Sequence, residues 1–111
     1  MRLVPDDRAR LHAAAEECPL TELRWVQYSF SFLFNHEGAR AAAKELERRG
    51  FPELRVLEEE TGDDYWHVVA WRRQSLTERV VANYQRQMAA LAGYYGGTYD
   101  SWAICRVDFR P

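Results

Sequence analysis

Between Val26 and Phe34 large apolar side chains occupy every second position: Val26, Tyr28, Phe30, Phe32 and Phe34, with Gln27, Ser29 and Ser31 in the gaps. A period of two is the mark of an extended strand with one buried face, whereas a helix would scatter these rings around its circumference. The stretch from Leu23 to Phe34 is therefore read as a strand. Such a strand must lay its aromatic side on another layer and leaves Trp25, Gln27, Ser29 and Ser31 on the reverse.

The next segment supplies that layer. Asn35 is a helix cap, and GARAAAKELERRG after it is a helix whose inner face is Ala39, Ala42, Ala43 and Leu46. Gly50 closes it in a left-handed conformation and Phe51-Pro52 prevents its extension. A helix lined with alanine sits close to what it covers, and the phenylalanines of the strand fill that narrow gap. Leu54 to Glu60 is a weaker, glutamate-rich strand suited to a sheet edge. Thr61-Gly62-Asp63-Asp64 is a turn, and Tyr65 to Trp71 (YWHVVAW) is a central strand apolar on both faces. Ser75 and Glu78 match a capping box at the start of a helix reaching about Tyr95, with Val81, Tyr84, Met88, Leu91, Ala92 and Tyr95 at helical spacing. Gly96-Gly97 ends it, and Tyr99 to Val107 is a last edge strand. Ahead of all this, residues 6 to 17 form a short helix capped by Asp6 or Asp7 and stopped by Pro19. Its thin stripe of Leu11, Ala14 and Ala15 places it outside the main core.

After the leading helix the order is β-α-β-β-α-β. This is an α+β, ferredoxin-like arrangement with a four-stranded antiparallel sheet in spatial order 4-1-3-2 and both helices on one face. The 111 residues suit a single domain, with residues 1–22 as a helical extension and 23–108 as the ferredoxin-like core. A formal net charge of −2 excludes a protein that holds nucleic acid mainly through long-range attraction. Cys18 and Cys105 form no ligand or disulfide pattern, no metal pair is spelled out, and no stretch is apolar enough for a signal or a span. The expectation is a cytoplasmic protein without cofactor.

Catalytic groupings are scarce. His12, His36 and His67 lack the spacing of metal ligands, and Asp63-Asp64 is explained by turn chemistry. Ser29 and Ser31 lie in a strand without a nucleophile elbow, and Cys105 reads as a small buried residue. Gly96-Gly97 follows a helix, so its free amides are not those of a phosphate loop. The aromatic residues carry more information. Trp25, Trp66, Trp71 and Trp102 all fall on strands, and Trp25, Gln27, Ser29, Ser31, His67, Val69 and Trp71 are assigned to the open face. Such a face suits a protein partner or a second copy of the chain. Stacking of single-stranded RNA is disfavoured, because the basic and aromatic pattern of RNA-recognition sheets is absent.

FSFLF, the Ala-rich helix ending in RRGF, WHV and MAALAGYYGGTYDSW together resemble the ribonuclease E inhibitor RraB family. The most specific piece is GGTYDSW, residues 96 to 102, with Ser101 where the family usually has Gly. The likeness spans residues 24 to 105 and leaves out the leading helix. It implies a ferredoxin-like fold and a non-catalytic regulator that acts on RNA turnover by binding ribonuclease E. The acidic tail of such inhibitors has no counterpart here, where the chain ends Phe109-Arg110-Pro111. Gly96, Gly97, Tyr99, Asp100 and Trp102 are given structural roles: a tight helix exit, Asp100 accepting from turn amides, Trp102 sealing the sheet edge. Two other readings stand beside the regulator. One is a small-ligand domain or cofactor-free enzyme with a cavity lined by Tyr28, His67 and Trp71. The other is a module that dimerises through its open face.

Overall fold

The computed structural model describes residues 4–59 and 64–111. Three helices and four strands follow in the order α1 (Pro5–Glu17), β1 (Arg24–Leu33), α2 (His36–Arg48), β2 (Glu53–Glu58), β3 (Tyr65–Gln74), α3 (Glu78–Tyr94) and β4 (Thr98–Ile104). The strands make one antiparallel sheet in the order β2-β3-β1-β4, which counted from its other edge is 4-1-3-2.

Alternation in β1 decides the layering. Val26, Tyr28, Phe30 and Phe32 are fully or almost fully buried, and on β3 Val68 and Ala70 join them. Ala39, Ala42 and Leu46 of α2 and Val81, Met88 and Leu91 of α3 close over this side. Tyr28 stands edge-on to Phe51, with ring centroids 6.0 Å apart, and 5.9 Å from Tyr84 of α3. Small residues on α2 let its backbone approach the rings, which is how so short a chain fills its interior densely.

Several local expectations are corrected. β1 ends at Leu33; Phe34 has φ 53° and is 70% exposed, so it leaves the alternation and the core. Neither Asp6 nor Asp7 caps α1: Val4 is the N-cap and Pro5 opens the first turn, where its missing N–H costs nothing. The capping box at Ser75 and Glu78 does not form. Thr77 is the N-cap of α3 without a side-chain bond, and Glu78 reaches Arg8 at 3.1 Å instead. Leu11 and Ala14 are buried in the common core, so α1 is not outside it, while Ala15 stays exposed. The last strand stops at Ile104, short of Val107. The turn expected at residues 61–63 lies outside the described residues. Asn35 and Gly50 behave as anticipated, the first accepting from Gly38 N–H at 3.0 Å and the second adopting φ 92° at the end of α2.

Candidate functional site

The face of the sheet turned away from the helices is the candidate site. Strand pairing sets its rows: Gln27 lies between Trp71 and Ala103, Ser29 between Val69 and Ser101, and Ser31 opposite His67. β2 adds Glu53 beside Trp71, Arg55 beside Val69 and Leu57 beside His67. Trp25, Gln27, Ser29, His67, Val69 and Trp71 are all half-buried, and no described helix covers them; Ser31 alone is buried. The phase assigned from the sequence thus brings these residues together on one surface.

Side-chain bonds hold the surface in shape. Trp71 Nε1 donates to Gln27 Oε1 at 3.1 Å, and the Arg55 guanidinium stands 5.5 Å from the Trp71 ring centroid. His67 Nε2 lies 3.3 Å from Glu59 Oε2, and its ring is 4.9 Å from that of Tyr65. The Ser31 hydroxyl donates to Asp100. A row of Asp100, Ser31, His67 and Glu59 carries the residue types of a hydrolytic triad, but it is wired as two separate pairs. The hydroxyl is committed to a carboxylate, whereas a serine nucleophile must hand its proton to the imidazole. Cys105 is likewise held as a thiol, because burial raises its pKa above the ordinary value more than nearby Arg24 lowers it.

The cavity proposed from Tyr28, His67 and Trp71 does not exist. Tyr28 is buried on the helix side, donating to Gln74 Oε1 at 2.6 Å, while His67 and Trp71 are on the opposite face. Three residues split by the sheet itself cannot line one pocket. Among the described residues no group of three or more His, Cys, Asp or Glu is placed to hold a metal ion. No described helix is long and apolar enough to cross a membrane.

The segment from Gly96 to Trp102 works differently from the open face. The β1–β4 register shifts between Ser29 and Phe30, leaving Asp100 as an extra residue in β4. Tyr99 and Trp102, three apart, would point to opposite sides of a regular strand; the bulge turns both toward the helices. The Tyr99 hydroxyl donates to Gln85 of α3, and its ring lies 5.5 Å from Phe30. Burial raises its pKa. Trp102 Nε1 donates to Asp7 Oδ1 at 2.7 Å, and Arg10 sits 5.4 Å over its ring while donating to its backbone carbonyl at 2.6 Å. Trp102 therefore anchors α1 and does not seal a bare edge, and Asp100 accepts from Ser31, not from turn amides. Gly97 has to be glycine because a Cβ there would run into the Phe32 ring.

Sequence reasoning missed two residues. Asn35 is more than a cap: its Nδ2 also donates to the carbonyls of Tyr95 at 2.9 Å and Gly96 at 3.2 Å, tying the start of α2 to the end of α3. Arg24, buried at the foot of β1, donates to the Cys105 carbonyl at 2.5 Å and meets Glu17 at 3.1 Å. Arginine at the first position of an aromatic strand was the available signal.

The sequence matches the family of regulators of ribonuclease activity B, RraB, over residues 6–103. The chain belongs to the RraB family. The matched region takes in nearly all of α1, so the leading helix falls within the RraB match, contrary to the narrower likeness drawn from motifs. No curated protein is similar enough to this RraB chain to count as a relative.

Proposed function

We propose that this chain is a non-catalytic regulator of RNA turnover that binds ribonuclease E, or a related ribonuclease, through the open face of its sheet. Membership of a family of ribonuclease regulators supports the partner class. The observation that carries the site is the uncovered surface itself. Two tryptophans and a histidine, Trp25, Trp71 and His67, stand half-exposed on paired strands, Trp71 held by Gln27 and Arg55 and His67 by Glu59. Ser29 and Ser31 lie between them and keep the surface flat. Aromatic side chains already fixed in place lose little entropy on binding, which is what an interface hot spot requires. This role needs no cofactor and no direct contact with RNA, and it belongs in the cytoplasm with the enzyme. The fold that goes with it is ferredoxin-like, a reading supported by the strand order.

The test combines purified chain, ribonuclease E and a structured RNA substrate. The chain is expected to co-purify with the enzyme and to slow cleavage. Trp71→Ala and Trp25→Ala should each weaken the complex about tenfold or more while leaving the circular dichroism spectrum unchanged. A chain that neither binds the enzyme nor alters the rate overturns the reading. Light scattering that finds a dimer, abolished by the same substitutions, would transfer the face to self-association.

A further inference from the structure

We infer that the free edge of β2 pairs with β2 of a second copy of this chain, joining two sheets into one. The ladder to β3 fixes which backbone groups face outward. Glu59 donates its N–H to the Tyr65 carbonyl at 2.8 Å, and along an antiparallel pair such bonded positions alternate with unbonded ones. Glu53, Arg55 and Leu57 therefore turn their N–H and C=O groups to β3, while Leu54, Val56 and Glu58 turn theirs away. Among the described residues no backbone group bonds these outward ones. The usual protections of an edge are missing: β2 has no proline and no bulge, and its glutamates stand at its ends. Arg55, its one central charge, is drawn inward over Trp71.

Symmetry sets the register. A two-fold axis perpendicular to the sheet can place Val56 opposite Val56 and Leu54 opposite Glu58, so every outward group meets an outward group. Any other register leaves at least one of these three residues facing no outward residue of the strand.

Charge selects the second copy as the occupant. Arg40 and Lys44 of α2 stand along a groove over Leu54 and Val56, and at its far end His36 stacks on Trp66 with ring centroids 3.9 Å apart. Trp66 pairs with Glu58, so α2 begins at the Glu58 end of β2. His36 to Lys44 spans about 12 Å of helix and Glu58 to Leu54 about 13 Å of strand, which sets Lys44 over Leu54. Within one chain Lys44 and Glu58 are thus held apart, and neither has an ion-pair partner among the described residues. In the paired dimer Glu58 of each copy arrives opposite Leu54, and so beside Lys44, of the other. Glu47, the carboxylate in the groove, lies about one turn farther along α2. On the open face Leu57, 49% exposed, meets the stem of Arg55 across the seam and lies diagonal to Leu57 of the second copy. The one like-charged facing pair, Glu53 and Glu59, falls at the exposed rim, where Glu59 is drawn back to His67 at 3.3 Å. Both open faces end on the same side of the joined sheet and stay uncovered, so the regulatory reading is independent of this pairing.

Sedimentation equilibrium from low to high micromolar concentration tests it, with circular dichroism to confirm that each variant folds. The chain should dimerise as concentration rises. Val56→Pro removes an outward donor and no bond to β3, and should weaken the dimer about tenfold or more. Lys44→Glu and Glu58→Lys should each weaken it about tenfold, and the double variant should restore it, because the exchanged charges still meet. Trp25→Ala and Trp71→Ala should leave it unchanged. If Val56→Pro does not fold, the charge exchange decides. A chain that stays monomeric at high micromolar concentration overturns the inference, as does a dimer that the charge exchange fails to weaken and restore. A dimer lost in Trp25→Ala and Trp71→Ala overturns it too, since the copies would then meet through their open faces. A monomer whose hold on ribonuclease is weakened by Val56→Pro overturns it as well, and gives the edge to a strand of the enzyme.

Discussion

A single hydroxyl illustrates how burial couples this fold to pH. Tyr28 is 1% exposed, and burial raises its pKa above the ordinary tyrosine value of 10.0, against the opposing effect of its hydroxyl bond to Gln74. Tyr99 is raised for the same reason, with Asp7 adding to the effect. The unfolded chain loses these protons near the ordinary value and the folded chain keeps them. Their contribution is therefore complete below pH 10.0 and declines as the pH climbs beyond it. Denaturant titrations between neutral pH and strongly alkaline conditions should show stability falling above that value, in step with tyrosinate absorbance. Tyr28→Phe should flatten the decline while costing about 1–2 kcal/mol at neutral pH, because Gln74 loses its donor. An alkaline limb unchanged in Tyr28→Phe would show that other groups cause it. That Tyr28 is buried was legible in the alternation of β1; that its hydroxyl meets Gln74 was not, because the two are 46 positions apart.

Among the helices, α1 is the one held least by apolar burial. It contributes only Leu11 and Ala14 to the core, and otherwise relies on Asp7 and Arg10 at Trp102, Arg8 at Glu78, and Glu17 at Arg24. Clefts flank it on both sides, one lined by Leu11, His12 and Leu20 and the other by Ala13, Ala14 and Trp102. The exposed Arg8–Glu78 pair contributes about 0–1 kcal/mol, and with only two buried apolar side chains beneath it the helix should open far more readily than the sheet. Native-state hydrogen exchange should find its amides exchanging on the order of a hundredfold faster than those of β1 and β3. Protection of α1 equal to that of β1 would refute this. The element's existence was plain from its alanines and Pro19. Its place was not, because its amphipathic pattern is thin and its contacts are polar ones made to residues distant in sequence.

At the scale of the whole molecule the sheet separates stability from recognition. Phe30 and Trp71 are both large aromatics on paired central strands, but Phe30 is wholly buried beneath the helices and Trp71 faces outward. Phe30→Ala should cost about 3–5 kcal/mol in chemical denaturation, whereas Trp71→Ala should cost only about 1 kcal/mol, its cross-strand packing. Comparable losses from the two would mean that the open face is part of the core. What the sequence determined alone is every feature written in a local period. The buried side of β1, the alanine face of α2 and the phase of the open surface follow from which neighbours share a face. Tertiary structure decided the rest: the bulge at Asp100 that turns Tyr99 and Trp102 the same way, the docking of α1 on Trp102, and the exit of Phe34 from the core. Each of these depends on which distant strand or helix lies alongside, and side-chain spacing within one segment carries no record of that.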